Sequence, residues 1–361
     1  MIKRKNLGFI QIAALFFCSI AMIFSSCNST KNHEENKMQS TEESLQQFPD
    51  SEGQPPFGEG FNPENASNNH MPMFGKKGEV YKTGAKTVIE NVHYASLSES
   101  EVCDIYLPES SKKTPVLFLV HGGGFAFETN RMSLMECVAQ KAVQKGYAVV
   151  AVDYRKSGEA QFPGALSDVK ACVRFIKAHE AEYNIDTEKT VIWGESAGAY
   201  LSLMTSLTSN VKELDGDITE NSGISSSVNV LVDFYGPVEF YTMDEEYKSL
   251  GIKNTSYSTD KSFESRFLGQ AVGKDKAQTY KTYWENYTSS LKEDFSLKAW
   301  IQAGTGDKNV PYTQSKNFAQ RLGKIIGTEN VKFSLQEGAS HMDKCFYTEE
   351  NLNAIFSWIG Y

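Results

Sequence analysis

The stretch VIWGESAGAYLSLM at residues 191–204 determines the fold prediction for this chain of 361 residues. It contains the pattern G-x-S-x-G, in which Ser196 lies between Gly194 and Gly198, with an apolar run on each side. In such a pattern the serine occupies a sharp turn between a strand and a helix, and glycines flank it because a Cβ would clash there. The stretch therefore predicts a strand, a turn that carries Ser196 as a nucleophile, and a helix.

A second glycine-rich run, His121-Gly122-Gly123-Gly124, follows the apolar residues 116–120 directly. A continuous apolar run of this kind is typical of a parallel strand buried on both faces. The backbone N–H groups of the loop that follows can face an oxyanion. A flexible turn or a phosphate cradle is the alternative, but a cradle would continue with Lys-Ser or Lys-Thr, and here Phe125-Ala126-Phe127 follows. The two motifs in this order indicate a serine hydrolase.

Composition limits the classes of function. The chain has a formal net charge of −9 and 40% hydrophobic residues, which suffices for one large α/β domain with additions. The negative charge, without a basic cluster beyond the first few residues, argues against a nucleic-acid partner. The six cysteines form no C-x-x-C pair and no metal-like spacing with histidine, so neither a metal nor another cofactor is expected. The sequence leaves the oligomeric state open.

The N-terminus has the pattern of a targeting segment. Basic residues at positions 3–5 precede an apolar run from Leu7 to Phe24, and two serines then lead to Cys27. The segment resembles a bacterial lipoprotein signal, with residues 1–27 as the signal peptide and Cys27 as the lipidated residue. A plain secretory signal and an uncleaved anchor are the alternatives. The resemblance implies an exported lipoprotein of the bacterial cell envelope, held to the outer membrane or the cell surface by its lipid anchor.

Residues 28–78 are predicted to form a disordered tether. They are rich in Asn, Ser, Glu and Gln and hold five of the ten prolines, and their apolar residues are too sparse to bury a core. Four cysteines follow the tether, and in an oxidising compartment some of them could pair, although the sequence does not indicate which. They are Cys103, Cys137, Cys172 and Cys345.

The folded part is predicted over residues 79–361. Two strands at 88–94 and 101–107 are expected to form an antiparallel pair at the edge of the sheet, and strands then alternate with helices. The expected strands lie at 116–121, 147–154, 191–193, 228–235, 297–303 and 331–336, and the expected helices at about 131–145, 164–182, 200–204, 312–325 and 349–358. Alternation of this length predicts an α/β fold with a mostly parallel sheet covered by helices on both faces.

Several motifs resemble those of the α/β-hydrolase superfamily. They are His121-Gly122-Gly123-Gly124-Phe125, Val152-Asp153-Tyr154-Arg155, Phe162-Pro163 ahead of Asp168, Gly194-Glu195-Ser196-Ala197-Gly198 and Asp233-Phe234-Tyr235-Gly236-Pro237. The resemblance points to the HGGG-type esterase/lipase branch, related to hormone-sensitive lipase and to bacterial carbohydrate-esterase-like hydrolases. It implies an α/β-hydrolase fold and an esterase activity. The chain departs from hormone-sensitive lipase at Lys156-Ser157-Gly158-Glu159, where that family continues Leu-Ala-Pro-Glu.

The general base is predicted to be His341. A serine hydroxyl needs a base within hydrogen-bond reach, and the pKa of histidine lies near the working pH. Two of the six histidines fall in the tether and a third on an edge strand; His121 is expected to hold the glycine loop, and His179 to be solvated late on a helix. His341 lies in the loop after the last strand, where parallel sheets place their chemistry. The six are His33, His70, His93, His121, His179 and His341.

The orienting acid is expected between Ser196 and His341, because this fold runs serine, acid, histidine in chain order. Asp307, in Gly304-Thr305-Gly306-Asp307 after a strand, resembles the family's acid in position and glycine content. It would hold the tautomer of the imidazole and stabilise the imidazolium. Asp233 is the alternative, because it also ends a strand. Asp153 and Asp168 precede Ser196 and are expected to be structural. Glu195 is expected to support the elbow or the glycine loop rather than to take part in the reaction.

The oxyanion hole is predicted to consist of the N–H groups of Gly123, Gly124 and Ala197. Ala197 follows from the geometry of the elbow, because it is the residue after the nucleophile. The two glycines are implied by the family resemblance.

Residues 238–292 lie between two core strands and are too long for a simple connection. They are predicted to form a small, partly helical cap over Ser196. The cap could build an aromatic pocket for an acyl group or a sugar, or it could bury its own core, and the second interpretation is favoured for most of its rings. The rings are Phe240, Tyr241, Tyr247, Tyr257, Phe263, Phe267, Tyr280, Tyr283, Trp284 and Tyr287.

Together these features favour a serine carboxylic-ester hydrolase that acts through an acyl-enzyme. The expected substrates are short acyl esters, with acetyl or feruloyl groups of polysaccharides as the natural ones, because large polymers must be deacylated outside the cell. An exported serine peptidase and a non-catalytic surface lipoprotein on a hydrolase scaffold are the alternatives.

Overall fold

A computed structural model describes residues 81–127, 129, 131–252, 257–291 and 296–361. The expected signal peptide 1–27 with its lipidation site Cys27, and the expected tether 28–78, lie outside the described residues. Within the described ranges, no helix is both long enough and apolar enough to cross a membrane.

One mostly parallel sheet forms the centre of the described part of the chain. Its strands are β1 (Thr87–His93), β2 (Val102–Leu107), β3 (Thr114–Val120), β4 (Ala148–Val152), β5 (Ile185–Glu195), β6 (Val230–Phe234), β7 (Lys298–Gly304) and β8 (Val331–Gln336). Their order is β1-β2-β4-β3-β5-β6-β7-β8. The pairs β1–β2 and β2–β4 are antiparallel and the other pairs are parallel. The expected α/β fold and the antiparallel edge are therefore confirmed.

Helices cover both faces of this sheet. They are α1 (Glu136–Gln144), α2 (Gly164–Ala178), α3 (Ala197–Leu207), α4 (Met243–Ser249), α5 (Phe263–Leu268), α6 (Lys276–Tyr280), α7 (Tyr312–Ile326) and α8 (Glu349–Ile359). Alternate residues of β3 enter two different hydrophobic clusters, one with α2, α3 and α7 and the other with α1 and α8, because successive side chains of a strand point to opposite faces. The expected apolar stripe of α2 is fully buried: Leu166, Val169, Val173 and Ile176.

Two helices are shorter than the sequence predicts. The helix expected over 131–145 begins only at Glu136, because Arg131 is held by a 2.5 Å ion pair with Asp104 and Ser133 has a left-handed φ of 51°, which a helix does not accommodate. The helix expected over 164–182 ends at Ala178, and turns follow it.

The order of the strands positions the site. The chain leaves β3 toward β4 on one side and later returns to β5 on the other side. At such a switch point the loops after the carboxyl ends of the strands diverge and leave a crevice. Because β3, β5, β7 and β8 are parallel, the loops that follow them all lie at this edge.

The segment expected to form the cap, 238–292, connects β6 to β7 and contains α4, α5, α6 and two stretches of 3₁₀-helix. Six of its rings are buried, namely Phe240, Tyr247, Phe263, Phe267, Tyr283 and Trp284. Tyr241 and Tyr280 are exposed, and Tyr257 and Tyr287 are half-buried. Most of the rings therefore pack within the protein, as the simpler interpretation expects.

Candidate active site

Ser196 occupies a strained turn between β5 and α3. Its φ of 52° and ψ of −122° lie outside the regions that non-glycine residues ordinarily adopt. A Cβ at Gly194 would lie 2.2 Å from the carbonyl oxygen of Gly198, and a Cβ at Gly198 would lie 2.0 Å from that of Val120. Only glycine fits at these two positions, which is the physical reason for the G-x-S-x-G pattern.

His341 connects Ser196 to Asp307. Its Nε2 lies 2.9 Å from the Oγ of Ser196, and its Nδ1 lies 2.7 Å from Oδ2 of Asp307. A carboxylate accepts hydrogen bonds, so Nδ1 carries the proton and Nε2 is left as the acceptor of the serine hydroxyl. His341 and Asp307 are buried and Ser196 is half-buried. The structure thus brings together the three residues predicted as nucleophile, base and acid.

The Asp307 carboxylate is oriented by backbone N–H groups of the loop that carries it. Its Oδ1 accepts hydrogen bonds from the N–H groups of Asn309 at 2.7 Å and Val310 at 2.9 Å, which leaves Oδ2 for the imidazole. The acid loop also lies directly on the histidine loop, because a Cβ at Gly304 would come within 2.2 Å of the carbonyl oxygen of Ala339.

Asp233, the alternative acid, has a different environment. Its carboxylate is fully buried at the end of β6 and accepts the N–H of Gly236 at 3.0 Å, without a bond to His341. Burial raises the pKa of Asp233 to about 7. Of the two candidate acids, the structure brings only Asp307 to the imidazole. Asp153 and Asp168 lie in buried ion pairs with Lys156 and Arg155, respectively.

Three other histidines lie within the described residues. His93 ends the edge strand β1. His179 was expected to be solvated, but it is half-buried, and its Nδ1 lies 2.8 Å from the carbonyl oxygen of Phe175. Within the described ranges, no three His, Cys, Asp or Glu side chains lie close enough together to hold a metal ion.

The third of these, His121, holds the glycine loop, as its position predicts. Its Nδ1 donates to the carbonyl oxygen of Gly122 at 2.7 Å, and the hydroxyl of Tyr154 donates to the carbonyl oxygen of His121 at 2.9 Å. In a trans peptide the C=O and the next N–H point in opposite directions. The bond to the Gly122 carbonyl therefore directs the N–H of Gly123 away from His121.

The loop lies against the nucleophile and has free donors. A Cβ at Gly122 would lie 3.2 Å from the Cβ of Ser196. Gly123 and Gly124 have left-handed φ values of 109° and 57°, which favour glycine. Among the described residues, no acceptor pairs with the N–H groups of Gly123, Gly124 or Ala197. These three backbone N–H groups therefore have no partner within the described residues and could donate to an oxyanion.

Sequence reasoning missed the supports beneath this loop. The ring of Tyr154 stacks on His121 at 4.5 Å, and the buried Lys156 lies 2.5 Å from Oδ1 of Asp153. Burial alone would raise the pKa of Asp153, but Lys156 and His121 hold it well below its usual range. The sequence did carry a signal for this ion pair. Hormone-sensitive lipase has Leu at the position of Lys156, and a lysine three residues after Asp153 can pair with that aspartate.

A second missed group lies beside His341. Tyr235, in the loop after β6, places its ring 4.6 Å from the imidazole, and its hydroxyl contacts Tyr347 and Glu195. Glu195 was expected to support the elbow or the glycine loop, and its carboxylate accepts hydrogen bonds from these two tyrosines. No spacing in the sequence indicates the contact, because the three residues come from separate parts of the chain.

A model of the BD-FAE family matches residues 103–322, more than half of the chain. The chain belongs to the BD-FAE family. The matched region contains the glycine loop, Ser196 and Asp307, and it ends before His341.

Related sequences include esterases. The chain is 25% identical over 243 residues to a probable isoprenylcysteine alpha-carbonyl methylesterase of Arabidopsis thaliana, covering 66% of this chain and 48% of that protein. It is 28% identical over 232 residues to the esterase LipC of Mycobacterium tuberculosis, a match that covers 64% of this chain and 53% of LipC. The chain therefore spans about half the length of these two curated relatives.

Solved structures resemble the fold. A bifunctional GH43-CE protein of Bacteroides eggerthii has a TM-score of 0.66 at 25% identity, covering 75% of this chain and 35% of that one. A truncated carbohydrate esterase from gut microbiota also has a TM-score of 0.66, at 24% identity. The match covers 77% of this chain and 97% of that one. The expected α/β-hydrolase fold is confirmed by these similarities together with the sheet.

Proposed function

We propose that this protein is a serine carboxylic-ester hydrolase that acts through an acyl-enzyme. The observation that carries the proposal is the position of His341, with one ring nitrogen 2.9 Å from the Ser196 hydroxyl and the other 2.7 Å from the Asp307 carboxylate. The chain's membership of the BD-FAE family and its similarity to proteins named esterases support ester hydrolysis as the reaction.

In the first half-reaction, the Oγ of Ser196 attacks the ester carbonyl carbon while Nε2 of His341 takes the hydroxyl proton. The carbonyl oxygen becomes an oxyanion, and the N–H groups of Gly123, Gly124 and Ala197 stabilise its charge. The C–O bond to the alcohol then breaks, the imidazolium returns its proton to the leaving oxygen, and the acyl group remains on Ser196.

In the second half-reaction, a water molecule loses a proton to Nε2 of His341 and attacks the acyl carbon. The oxyanion forms again in the same place. Its collapse breaks the bond to the Oγ of Ser196, which takes back the proton from Nε2 of His341, and the carboxylic acid is released. Asp307 stabilises the imidazolium in both halves by accepting the Nδ1 proton.

Short acyl esters, from acetyl to butyryl, are the proposed substrates, with acetylated or feruloylated polysaccharides as the natural ones. A Cβ at Gly124 would lie 2.8 Å from the ring of Phe263, so a ring from the inserted segment borders the proposed oxyanion site. This contact supports a confined site over one for long acyl chains.

We also propose that the chain is exported and anchored through lipidated Cys27, after processing of residues 1–27. Several acyl chains give stable membrane association, whereas a single chain binds only marginally. Cells expressing the full chain should hold it in the membrane fraction, and Cys27→Ser should release or misprocess it. A mature N-terminus that begins elsewhere and carries no lipid, measured by mass spectrometry, would contradict the anchor.

A substrate screen tests the enzymatic proposal. The full chain, purified in detergent, should be assayed on esters of graded acyl length, acetylated xylan, feruloyl esters, long-chain triglyceride and aminoacyl amides, with Ser196→Ala as the control. Acetyl to butyryl esters should be hydrolysed fastest. Faster cleavage of aminoacyl amides would indicate a peptidase, and no hydrolysis of any substrate would favour the non-catalytic alternative.

A further inference from the structure

A hydrogen-bonded cluster outside the triad lies beside His341, with two buried members and one half-buried member. It consists of Glu195, Tyr235 and Tyr347, and we call it the carboxylate–tyrosine cluster. Oε2 of Glu195 accepts hydrogen bonds from the hydroxyls of Tyr347 at 2.5 Å and Tyr235 at 3.3 Å, and the two hydroxyls also contact each other. The mechanism above does not use this cluster.

The cluster joins the end of strand β5 to two loops of the active site. Glu195 ends β5 and directly precedes Ser196, and Tyr235 directly follows β6. Tyr347 ends a 3₁₀-helix, Lys344–Tyr347, that closes the loop carrying His341. The Glu195 carboxylate therefore ties the nucleophile's strand to the loop of the base.

Tyr235 connects the Glu195 carboxylate to the imidazole of His341. Its ring meets the ring of His341 edge to face, at 4.6 Å between centroids and 61° between planes. Its backbone has a left-handed φ of 45°, a strained conformation for a large side chain, and its N–H donates to the carbonyl oxygen of Gln302 at 2.7 Å. The strained backbone and the bonded hydroxyl fix both ends of the residue against His341.

The hydroxyls of the cluster remain neutral donors. Burial raises the pKa of Tyr235 and of Tyr347 well above the usual value, and the charge of Glu195 raises both further. Oε1 of Glu195 is buried and has no hydrogen-bond partner in the described part of the chain. Burying a carboxylate with one oxygen unpaired costs free energy.

We propose that Glu195 is a positioning residue that, through Tyr235 and Tyr347, holds the imidazole of His341 in line with the Ser196 hydroxyl. The inference rests on the proposed function, because it assigns His341 as the base. A misplacement of the base by a fraction of an ångström lowers the rate of the chemical step without weakening the binding of substrate.

A competing role for Glu195 acts on the glycine loop. A Cβ at Gly122 would lie 3.5 Å from the Cγ of Glu195, so this side chain also borders the loop. A variant background without the imidazole separates the two roles, because a residue that acts through His341 has nothing to position there.

The experiment measures p-nitrophenyl acetate hydrolysis by Glu195→Gln and Tyr347→Phe in the full chain. Each change removes or weakens a hydrogen bond from a tyrosine hydroxyl to the Glu195 carboxylate. We therefore expect kcat to fall about tenfold for Glu195→Gln and about threefold for Tyr347→Phe. KM should stay within about twofold of the unmodified protein. The double variant should be no slower than Glu195→Gln within about twofold, since both changes break one cluster. Tyr147→Phe, a buried tyrosine at the amino-terminal end of β4, is the matched control and should leave kcat unchanged.

The His341→Ala background decides between the roles. In that background, Glu195→Gln should not lower the residual rate further. A further tenfold loss would overturn the proposal and would indicate that Glu195 acts on the glycine loop. Unchanged kcat in both single variants would also overturn it. If Glu195→Gln does not fold, as judged by its circular dichroism, Tyr347→Phe decides alone in both backgrounds. Retained hydrolysis in Ser196→Ala would instead show that the proposed function itself is wrong.

Discussion

The carboxyl edge of the sheet and the inserted segment 238–292 both border the active site, but they are built differently. At the sheet edge, backbone approaches backbone. A Cβ would collide with a carbonyl oxygen at Gly194, Gly198 and Gly304, at distances of 2.0 to 2.2 Å. The positions of nucleophile, acid and base therefore depend on contacts that tolerate no added atom.

The inserted segment reaches the site through side chains. The ring of Phe263 covers Gly124, and the hydroxyl of Tyr247 donates to the carbonyl oxygen of Asp307 at 3.2 Å. Its other rings pack mainly on one another and on the core, as Phe267 does on Phe125 at 4.1 Å. Side-chain contacts can be exchanged without moving the backbone, so we expect the sheet edge to govern the chemistry and the insertion to govern the choice of substrate.

The largest effect should come from the nucleophile at the sheet edge. Ser196→Ala should abolish ester hydrolysis, with a loss on the order of 10⁶ in kcat, and should remove labelling by an organophosphonate, because the substitution removes the hydroxyl that lies 2.9 Å from Nε2 of His341. The matched control is Ser202→Ala, which changes a buried serine on α3, the helix that begins directly after Ser196. It should retain activity. Undiminished labelling of Ser196→Ala would refute the assignment of the nucleophile.

The next effect tests which strand end supplies the acid. Asp307→Asn should lower kcat by about 10⁴, because the amide no longer holds the imidazole in the required tautomer. Asp233→Asn should change kcat by less than about twofold. Within the described residues that carboxyl accepts one hydrogen bond, from the N–H of Gly236, and an amide oxygen can accept the same bond. If Asp233→Asn proves the more damaging of the two, Asp307 is not the orienting acid.

A smaller effect is expected where the two regions touch. Gly124→Ala should lower kcat/KM by about 100-fold, because the new Cβ would lie 2.8 Å from the Phe263 ring at a residue with a φ of 57° and would displace an oxyanion donor. The control is Gly146→Ala, which has a φ of 86° and nothing within 4 Å of the new Cβ. It carries similar backbone strain without the collision, so a comparable loss of activity there would remove the oxyanion explanation.

The smallest effect should come from the insertion alone. Phe263→Ala should leave kcat for acetyl esters within about threefold and shift the preference toward hexanoyl over acetyl esters by about tenfold, because it opens space above Gly124. Tyr280→Ala, an exposed ring of the same segment, should change neither quantity. A loss of acetyl-ester turnover comparable to that of Gly124→Ala would mean that the insertion also supports the chemistry.

Much of the active site follows from the sequence because its signals are local. The turn at Ser196 requires glycine at two nearby positions, and the loop that begins at His121 follows an unbroken apolar strand. The prediction was wrong where a distant contact overrides the local pattern, as at the start of α1, where the ion pair of Arg131 with Asp104 replaces a helical turn.

The sequence by itself determined the α/β fold, the nucleophile elbow and the position of His341, because periodicity, glycine spacing and chain order act within short stretches. Only the tertiary structure decided between Asp307 and Asp233, since both end strands and the choice depends on which carboxylate lies 2.7 Å from an imidazole nitrogen. It alone also placed Glu195 beside Tyr235 and Tyr347. Contacts between residues from separate loops leave no spacing in the chain, because they arise when the sheet brings the ends of its strands to one edge.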